Sequence, residues 1–166
     1  MATTIDEGNL GAWLLKCNPA VYDLRAAVDA GVDYVDSWSV RPGYRAEMMA
    51  PGQKAVLWVS GDGTRMARGI WGVGWVRGRV RPADAEGAGF WTDQGARRSV
   101  RMAIALWIPV LAEPVTVKEI RAAGVTDLEV LRMPQGSNPS WISQAQLAVL
   151  EHLLPEWPTE PRGSAK

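Results

Sequence analysis

The sequence predicts a single mixed α+β domain, and three observations carry that expectation. Apolar runs of strand length recur at "AWLLKC" (12–17), "KAVLWVS" (54–60) and "VRMAIALWIPVL" (100–111). The segment "GIWGVGWV" alternates bulky and bare positions with a period of two. Segments with helical spacing lie between and after these runs, and the last is opened by a capping box, Ser143 with Gln146. At 166 residues, 47% hydrophobic and 22% charged, the chain can bury one core. The domain is expected to span 1–157, with the Pro-rich segment 158–166 as a flexible tail.

Taken in order, "AWLLKC" reads as a buried strand that stops where Asn-Pro begins. Asn18 is a natural N-cap and Pro19 suits a first helical turn. A helix is therefore expected through "AVYDLRAAVDAG", with Val21, Leu24, Ala27 and Val28 on one face and Gly31 as its stop. A short extended piece carries Trp38 in "DSWSV", and "YRAEMM" makes a small helix before the turn "APGQ".

"KAVLWVS" and "RGIWGVGWVRGRV" (68–80) then form a hairpin around the loop tip "GDGTRMA". Strict alternation puts Trp71, Val73 and Trp75 on one face, and Ile70, Gly72, Gly74 and Val76 on the other. Bare glycines inside a strand mark the close approach of another backbone, which is favoured here over ligand contact. Residues 82–99 show no periodicity and read as a long loop holding Phe90, Trp91 and the pair Arg97-Arg98. Structureless loops beyond about 12–15 residues are functional or disordered, and adjacent aromatics argue for an anchored segment.

In the longest strand, Met102, Ile104, Leu106 and Ile108 share a face. "TVKEIRAAG" follows as a short helix, "VTDLEVLR" as a partial strand and "MPQGSNPSW" as a turn-rich loop. In the final helix, "QAQLAVLEHLL", Leu147, Leu150 and Leu154 face inward.

Enzymatic signatures are thin. The chain has no Walker loop, GxGxxG, HExxH or GxSxG pattern. The lone His152 sits on a helix surface without an evident nucleophile or orienting acid, and Cys17 ends a buried strand as a small core thiol. One Cys and one His cannot complete a usual zinc site, and Asp29, Asp33 and Asp36 read as a solvated face, so no metal or cofactor is expected. No apolar run approaches the roughly 20 residues of a membrane span. The start "MATTIDEGNLG" lacks the basic and hydrophobic regions of a leader, so a cytoplasmic protein without a membrane partner is expected.

Charge and tryptophan content point towards binding. The formal net charge is zero, yet residues 41–101 hold eleven Lys/Arg against five Asp/Glu. Fourteen of the eighteen cations are Arg, whose planar fork suits phosphates, although a solvated, salt-bridged surface explains the cluster as well. Of nine tryptophans, Trp13, Trp58, Trp107 and at least one of Trp71 and Trp75 are placed in strands where an indole fills a core. Trp38 and Trp91 differ because polar, loop-like sequence surrounds each. From the residues alone they either plug the ends of a barrel or wall a cleft for a flat heterocycle.

Five segments in the same order resemble the EVE domain, a member of the PUA-like superfamily that includes the YTH readers of methylated adenine in RNA and the ASCH domains. They are "WLLKCNP", "DSWSVRPGYRAEM", "PGQKAVLWVS" (like "PGDxVLFW"), "GIWGVGWV" (like "GIxGxG") and "MPQGSNPSWIS" (like the "PQGTNxxLT" of EVE proteins in bacterial restriction settings). The resemblance implies a PUA-like curved sheet or pseudo-barrel of five to six strands flanked by helices. It also implies a non-catalytic module that holds a flipped modified base, such as 5-methylcytosine or N6-methyladenine, in an aromatic cage. Its implied partners are modified DNA or RNA and components of a restriction or RNA-modification system.

By position, Trp38 matches the first cage wall and Ser39 the neighbour whose backbone contacts the base. Lys16, Cys17 and Asn18 match the strand-end segment, with Cys17 departing from the serine common in YTH relatives. Trp91 matches the second wall, with Phe90 as the alternative. Arg41, Arg45, Arg97 and Arg98 are the candidate phosphate contacts. ASCH relatives suggest a second reading, an enzyme on a modified nucleoside with Lys16 as catalytic amine beside Asp36 or Glu47. A protein-interaction domain is a third.

Overall fold

A computed structural model describes residues 4–83, 90–98 and 102–162. Seven strands form a curved, unclosed sheet: β1 (Leu10–Cys17), β2 (Tyr34–Val40), β3 (Lys54–Val59), β4 (Gly69–Val76), β5 (Arg81–Pro82), β6 (Met102–Thr116) and β7 (Ser140–Ser143). Their spatial order is β2-β6-β4-β3-β1-β7, with β5 beside β6. Only the β1–β3 pair is parallel among the pairings of these strands. Among the described residues six short helices accompany the sheet: α1 (Leu24–Asp29), α2 (Tyr44–Met48), α3 (Gln94–Arg98), α4 (Val117–Ala122), α5 (Glu129–Arg132) and α6 (Gln144–Leu150). The expected mixed α+β architecture with a curved sheet is present, and the short β5 and β7 bring the described strands to seven, against the five to six expected.

Apart from Lys16 in β1 and Lys54 in β3, strands β1, β3 and β4 are apolar because both sheet faces are covered. In β1, Trp13, Leu15 and Cys17 enter one core cluster, while Ala12 and Leu14 enter the other. In β3, Ala55, Leu57 and Val59 join the first cluster, while Val56 and Trp58 join the second. The first cluster lies against α1 and α2 through Leu24 and Ala46; the second is covered by α4, α5 and α6 through Ile120, Val130, Leu147 and Leu150. The Ser143–Gln146 capping box forms as expected.

Strict alternation fails in β4. Against β3, Leu57 pairs with Gly72 and Trp58 with Ile70, leaving Trp71 as the extra residue of a bulge. The bulge turns Trp71 into the first cluster and leaves Val73 with Ile70 in the second, so Trp71 and Val73 do not share a face. The expected close approach at the glycines is present: a Cβ on Gly72 would stand 2.8 Å from the Pro109 carbonyl oxygen. One on Gly74 would collide with the Trp107 carbonyl oxygen and lie 2.8 Å from Ile108 Cα. These positions let β4 lie tightly beside β6.

Four local expectations are corrected. Asn18 does not cap a helix: its side chain accepts from Ala20 N (3.0 Å) and its carbonyl accepts from Val21 N and Tyr22 N (2.9 and 3.0 Å), making a turn. The helix begins only at Leu24, where Asp23 accepts from Ala26 N at 3.0 Å. "VTDLEVLR" holds a helical turn instead of a strand, because Val125, Leu128 and Leu131 recur every three residues and pack against the second cluster. Ser140 and Trp141, expected in the loop "MPQGSNPSW", instead begin strand β7, which pairs antiparallel with β1. Segment 82–99 is not wholly irregular, since Pro82 pairs with Met102 and α3 occupies 94–98.

The segment after α6 also packs. Trp157 donates to Gly74 O at 3.0 Å under the Lys54 ammonium, Trp75 donates to Pro158 O at 2.8 Å, and Arg77 pairs with Glu160 at 2.5 Å.

Candidate functional site

Curling of an unclosed sheet brings its two ends towards each other, and β2 approaches the C-terminal end of β1 across the seam. Trp38 is placed on β2 by pairing with Ile104 of β6, and its indole Nε1 donates across the seam to Lys16 O at 3.1 Å. Loop 133–139 completes the closure through Asn138. Its side chain accepts from Lys16 N (2.7 Å) and donates to Lys16 O (3.0 Å), imitating the two bonds of a strand pair. Its carbonyl accepts from Arg41 N at 2.9 Å. The Lys16 ammonium donates to the carbonyls of Gly136 and Pro134, which fastens the same loop from the other side.

The seam opens into a cavity of about 560 Å³, lined by Lys16–Asn18, Tyr22, Trp38–Pro42, Trp91 and Ser137–Asn138 among others. Three aromatic residues meet there. Tyr22 sits edge-on to Trp38 (centroids 5.2 Å, interplanar 70°) and to Trp91 (5.7 Å, 87°). Trp91 reaches this place because its backbone bridges Tyr22, while Thr92 N and Asp93 N donate to Val21 O. The Phe90 carbonyl accepts from Asp23 N at 2.7 Å, and Phe90 does not line the cavity.

The ionisable groups are set by their surroundings. Burial pushes the Cys17 thiol up to about 12, with Asp23 adding to the shift, so the thiol stays protonated and points to Tyr22 O. Burial lowers the Lys16 ammonium, against the opposing pull of Glu129. Its amine is engaged by loop carbonyls, and the carboxylates considered for a catalytic pairing, Asp36 and Glu47, do not line the cavity. Asn18 and Ser39 lie on its rim with Arg41, whose guanidinium is exposed and 3.4 Å from Ser137 Oγ.

Arg45 stands apart from the other candidate phosphate contacts. It is clamped bidentate by Glu129 (2.7 and 2.8 Å), whose Oε1 also accepts from Ser140 Oγ at 2.9 Å. Arg97 and Arg98 belong to α3, but their side chains lie outside the described residues. Burial raises the Glu129 carboxyl, yet hydrogen bonds from Arg45 and Ser140 more than offset it and hold the group below its ordinary 4.5.

That depression has a definite sign. The stability Glu129 contributes is present above pH 4.5 and is lost as pH falls through the lower folded value. Thermal unfolding followed from about pH 7 to about pH 3 should therefore show an acid limb that Glu129→Gln flattens. An unchanged acid limb in the variant contradicts this.

Six of the residues expected at the site are therefore brought together: Lys16, Cys17, Asn18, Trp38, Ser39 and Trp91, with Arg41 beside them. Sequence reasoning missed Tyr22 and Asn138. Tyr22 falls inside the helix expected over "AVYDLRAAVDAG", and Asn138 falls in a segment that reads only as turns; the signal for it is an amide residue in a Gly- and Pro-rich loop, able to bond backbone.

The EVE domain family model matches residues 11–153. The chain belongs to the EVE domain family. Solved structures share its fold at low identity. Rpa0253 from Rhodopseudomonas palustris is 17% identical over 89% of this EVE domain and 97% of its own chain, with a TM-score of 0.55. PSPTO5229 from Pseudomonas syringae is 16% identical over 86% and 98%, with a TM-score of 0.57. Human THYN1, solved in complex with 5-methylcytosine containing DNA, is 12% identical over 87% and 98%, with a TM-score of 0.51. No curated protein sequence matches this EVE domain. No described helix is long and apolar enough to cross a membrane.

Proposed function

We propose that this EVE domain is a non-catalytic reader that takes one flipped, modified base of DNA or RNA into the seam cavity. The observation that carries the reading is the meeting of Trp38, Tyr22 and Trp91 around an opening of about 560 Å³, within the range of about 300–1,000 Å³ common for small-molecule pockets. The shared fold with a protein solved on 5-methylcytosine containing DNA supports it.

In this reading Trp38 and Trp91 flank the base and Tyr22 closes the space between them. The polar edge of the base meets the backbone and side chains of Lys16–Asn18, Ser39 and Asn138, while Arg41 faces a phosphate. Flipping costs a few kcal/mol. Stacking, at about 1–3 kcal/mol per base, and the edge bonds offset it. A methyl group buried on an apolar wall adds about 0.8 kcal/mol, which is the margin available for selecting the modified base.

Titration of paired oligonucleotides, differing only in 5-methylcytosine or N6-methyladenine, against intrinsic tryptophan fluorescence tests the reading. One modified member is expected to bind more tightly than its unmodified twin, with quenching as an indole becomes stacked. Equal affinity within every pair overturns it. Trp38→Ala is expected to remove the preference, but it also deletes the Nε1–Lys16 bond across the seam and so lowers stability as well.

A further inference from the structure

A second cavity, of about 300 Å³, adjoins the first and shares Arg41, Pro42, Ser137 and Asn138 with it. Its other walls include Tyr44, Met133 and Pro139, and the paired Arg45 and Glu129 line it without a net charge of their own. Tyr44 and Met133 are 57% and 58% exposed, the two most exposed of the four large hydrophobic side chains standing out from the described surface. Both belong to this one cavity. Exposed apolar side chains gathered in a groove beside a candidate ligand site offer a surface for a ligand to cover.

We propose that this cavity is a subsite for the nucleotide adjoining the modified one, so that the domain grips a two-nucleotide step instead of a lone base. The inference rests on the reading of the seam cavity as a base site. Extruding a base leaves its neighbour with an uncovered face, and the Tyr44 ring offers a replacement stacking surface. Arg41 stands on the wall common to both cavities, where the phosphate linking two consecutive nucleosides would pass; its contact with Ser137 Oγ at 3.4 Å holds it on that wall. The charge of the site matches this occupant. The Arg45–Glu129 pair cancels its own charge on the wall that also carries Tyr44, and Arg41 faces the anion.

The test compares a mononucleotide carrying the preferred modified base with trinucleotides carrying it centrally, each beside its unmodified twin, against wild type, Tyr44→Ala, Tyr44→Phe and Trp91→Ala. Wild type is expected to bind the trinucleotide more tightly than the mononucleotide. Tyr44→Ala should weaken the trinucleotide by about fivefold to a hundredfold and leave the mononucleotide unchanged; Tyr44→Phe, which keeps the ring, should restore the gain. Trp91→Ala should weaken both probes. If Tyr44→Ala leaves the trinucleotide unchanged, or weakens both probes alike, the subsite is wrong while the base site stands. If wild type does not distinguish modified from unmodified probes of either length, the base site itself fails and the subsite falls with it. Tyr44 is exposed, so its truncation does not open the core.

Discussion

Trp91→Ala is expected to lower affinity for the preferred modified oligonucleotide by about tenfold to a hundredfold while the protein stays cooperatively folded. Loss of one stacking wall costs about 1–3 kcal/mol per base, and the unmodified twin should lose almost as much, so overall affinity falls more than selectivity. Trp91 is a cleaner probe than Trp38. The Trp38 indole both lines the cavity and ties β2 to β1 through Lys16 O, whereas Trp91 is carried by a segment anchored through backbone bonds from Thr92 and Asp93 to Val21. Those anchors survive truncation of the side chain. Calorimetric titration with a parallel thermal melt separates the two effects. Undiminished affinity in a folded Trp91→Ala protein removes this residue from the site.

Gly74→Ala is expected to cost about 3 kcal/mol or more of stability, the largest effect of any methyl-sized change considered for this chain. The added Cβ collides with the Trp107 carbonyl oxygen and stands 2.8 Å from Ile108 Cα, both backbone atoms of β6, so no side-chain rotation relieves it. Relief requires β4 and β6 to separate. Separation would also disturb the Gly74 carbonyl, which accepts the Trp157 indole bond at 3.0 Å and holds the C-terminal segment. Urea unfolding of wild type and variant measures the difference. Gly31→Ala provides contrast: its cost comes from φ +102° alone, since nothing lies within 4 Å of the added methyl. A Gly74→Ala protein as stable as wild type contradicts the close approach of the two strands.

The strands were legible because each carries its own evidence. "AWLLKC", "KAVLWV" and "MAIALWIPV" are apolar apart from Lys16 and Lys54 since both faces of the central sheet are covered, and that pattern does not depend on distant residues. The capping box was legible for the same local reason. What failed to show depended on contacts far along the chain. The turn at Asn18 wins over the helix expected from Pro19 because Tyr22 is drawn into a bridge with Trp91, sixty-nine positions away in a segment with no periodicity of its own. β7 is only four residues long and is a strand because β1 has an unpaired edge to offer it. The bulge at Trp71 is likewise invisible to a period-two count.

The same division runs through the site. Trp38 and Trp91 announced themselves as indoles in polar surroundings, and the ordered resemblance to EVE domains placed Lys16, Cys17, Asn18 and Ser39 with them. Tyr22 and Asn138 were hidden because their roles exist only when the seam closes: one fills the angle between two indoles, the other supplies strand-like bonds to Lys16. The arginines divide on electrostatic grounds that no sequence pattern encodes. Arg45 has Glu129 as a fixed partner, brought near by α5, while Arg41 faces the cavity.

The most direct test of base capture is a nuclear Overhauser experiment on the complex with the preferred oligonucleotide, its modifying methyl group labelled with carbon-13. The structure predicts cross-peaks from that methyl to indole protons of Trp38 and Trp91, assigned through Trp38→Phe and Trp91→Phe. A saturated complex in which the methyl shows contacts to neither indole contradicts capture between these walls.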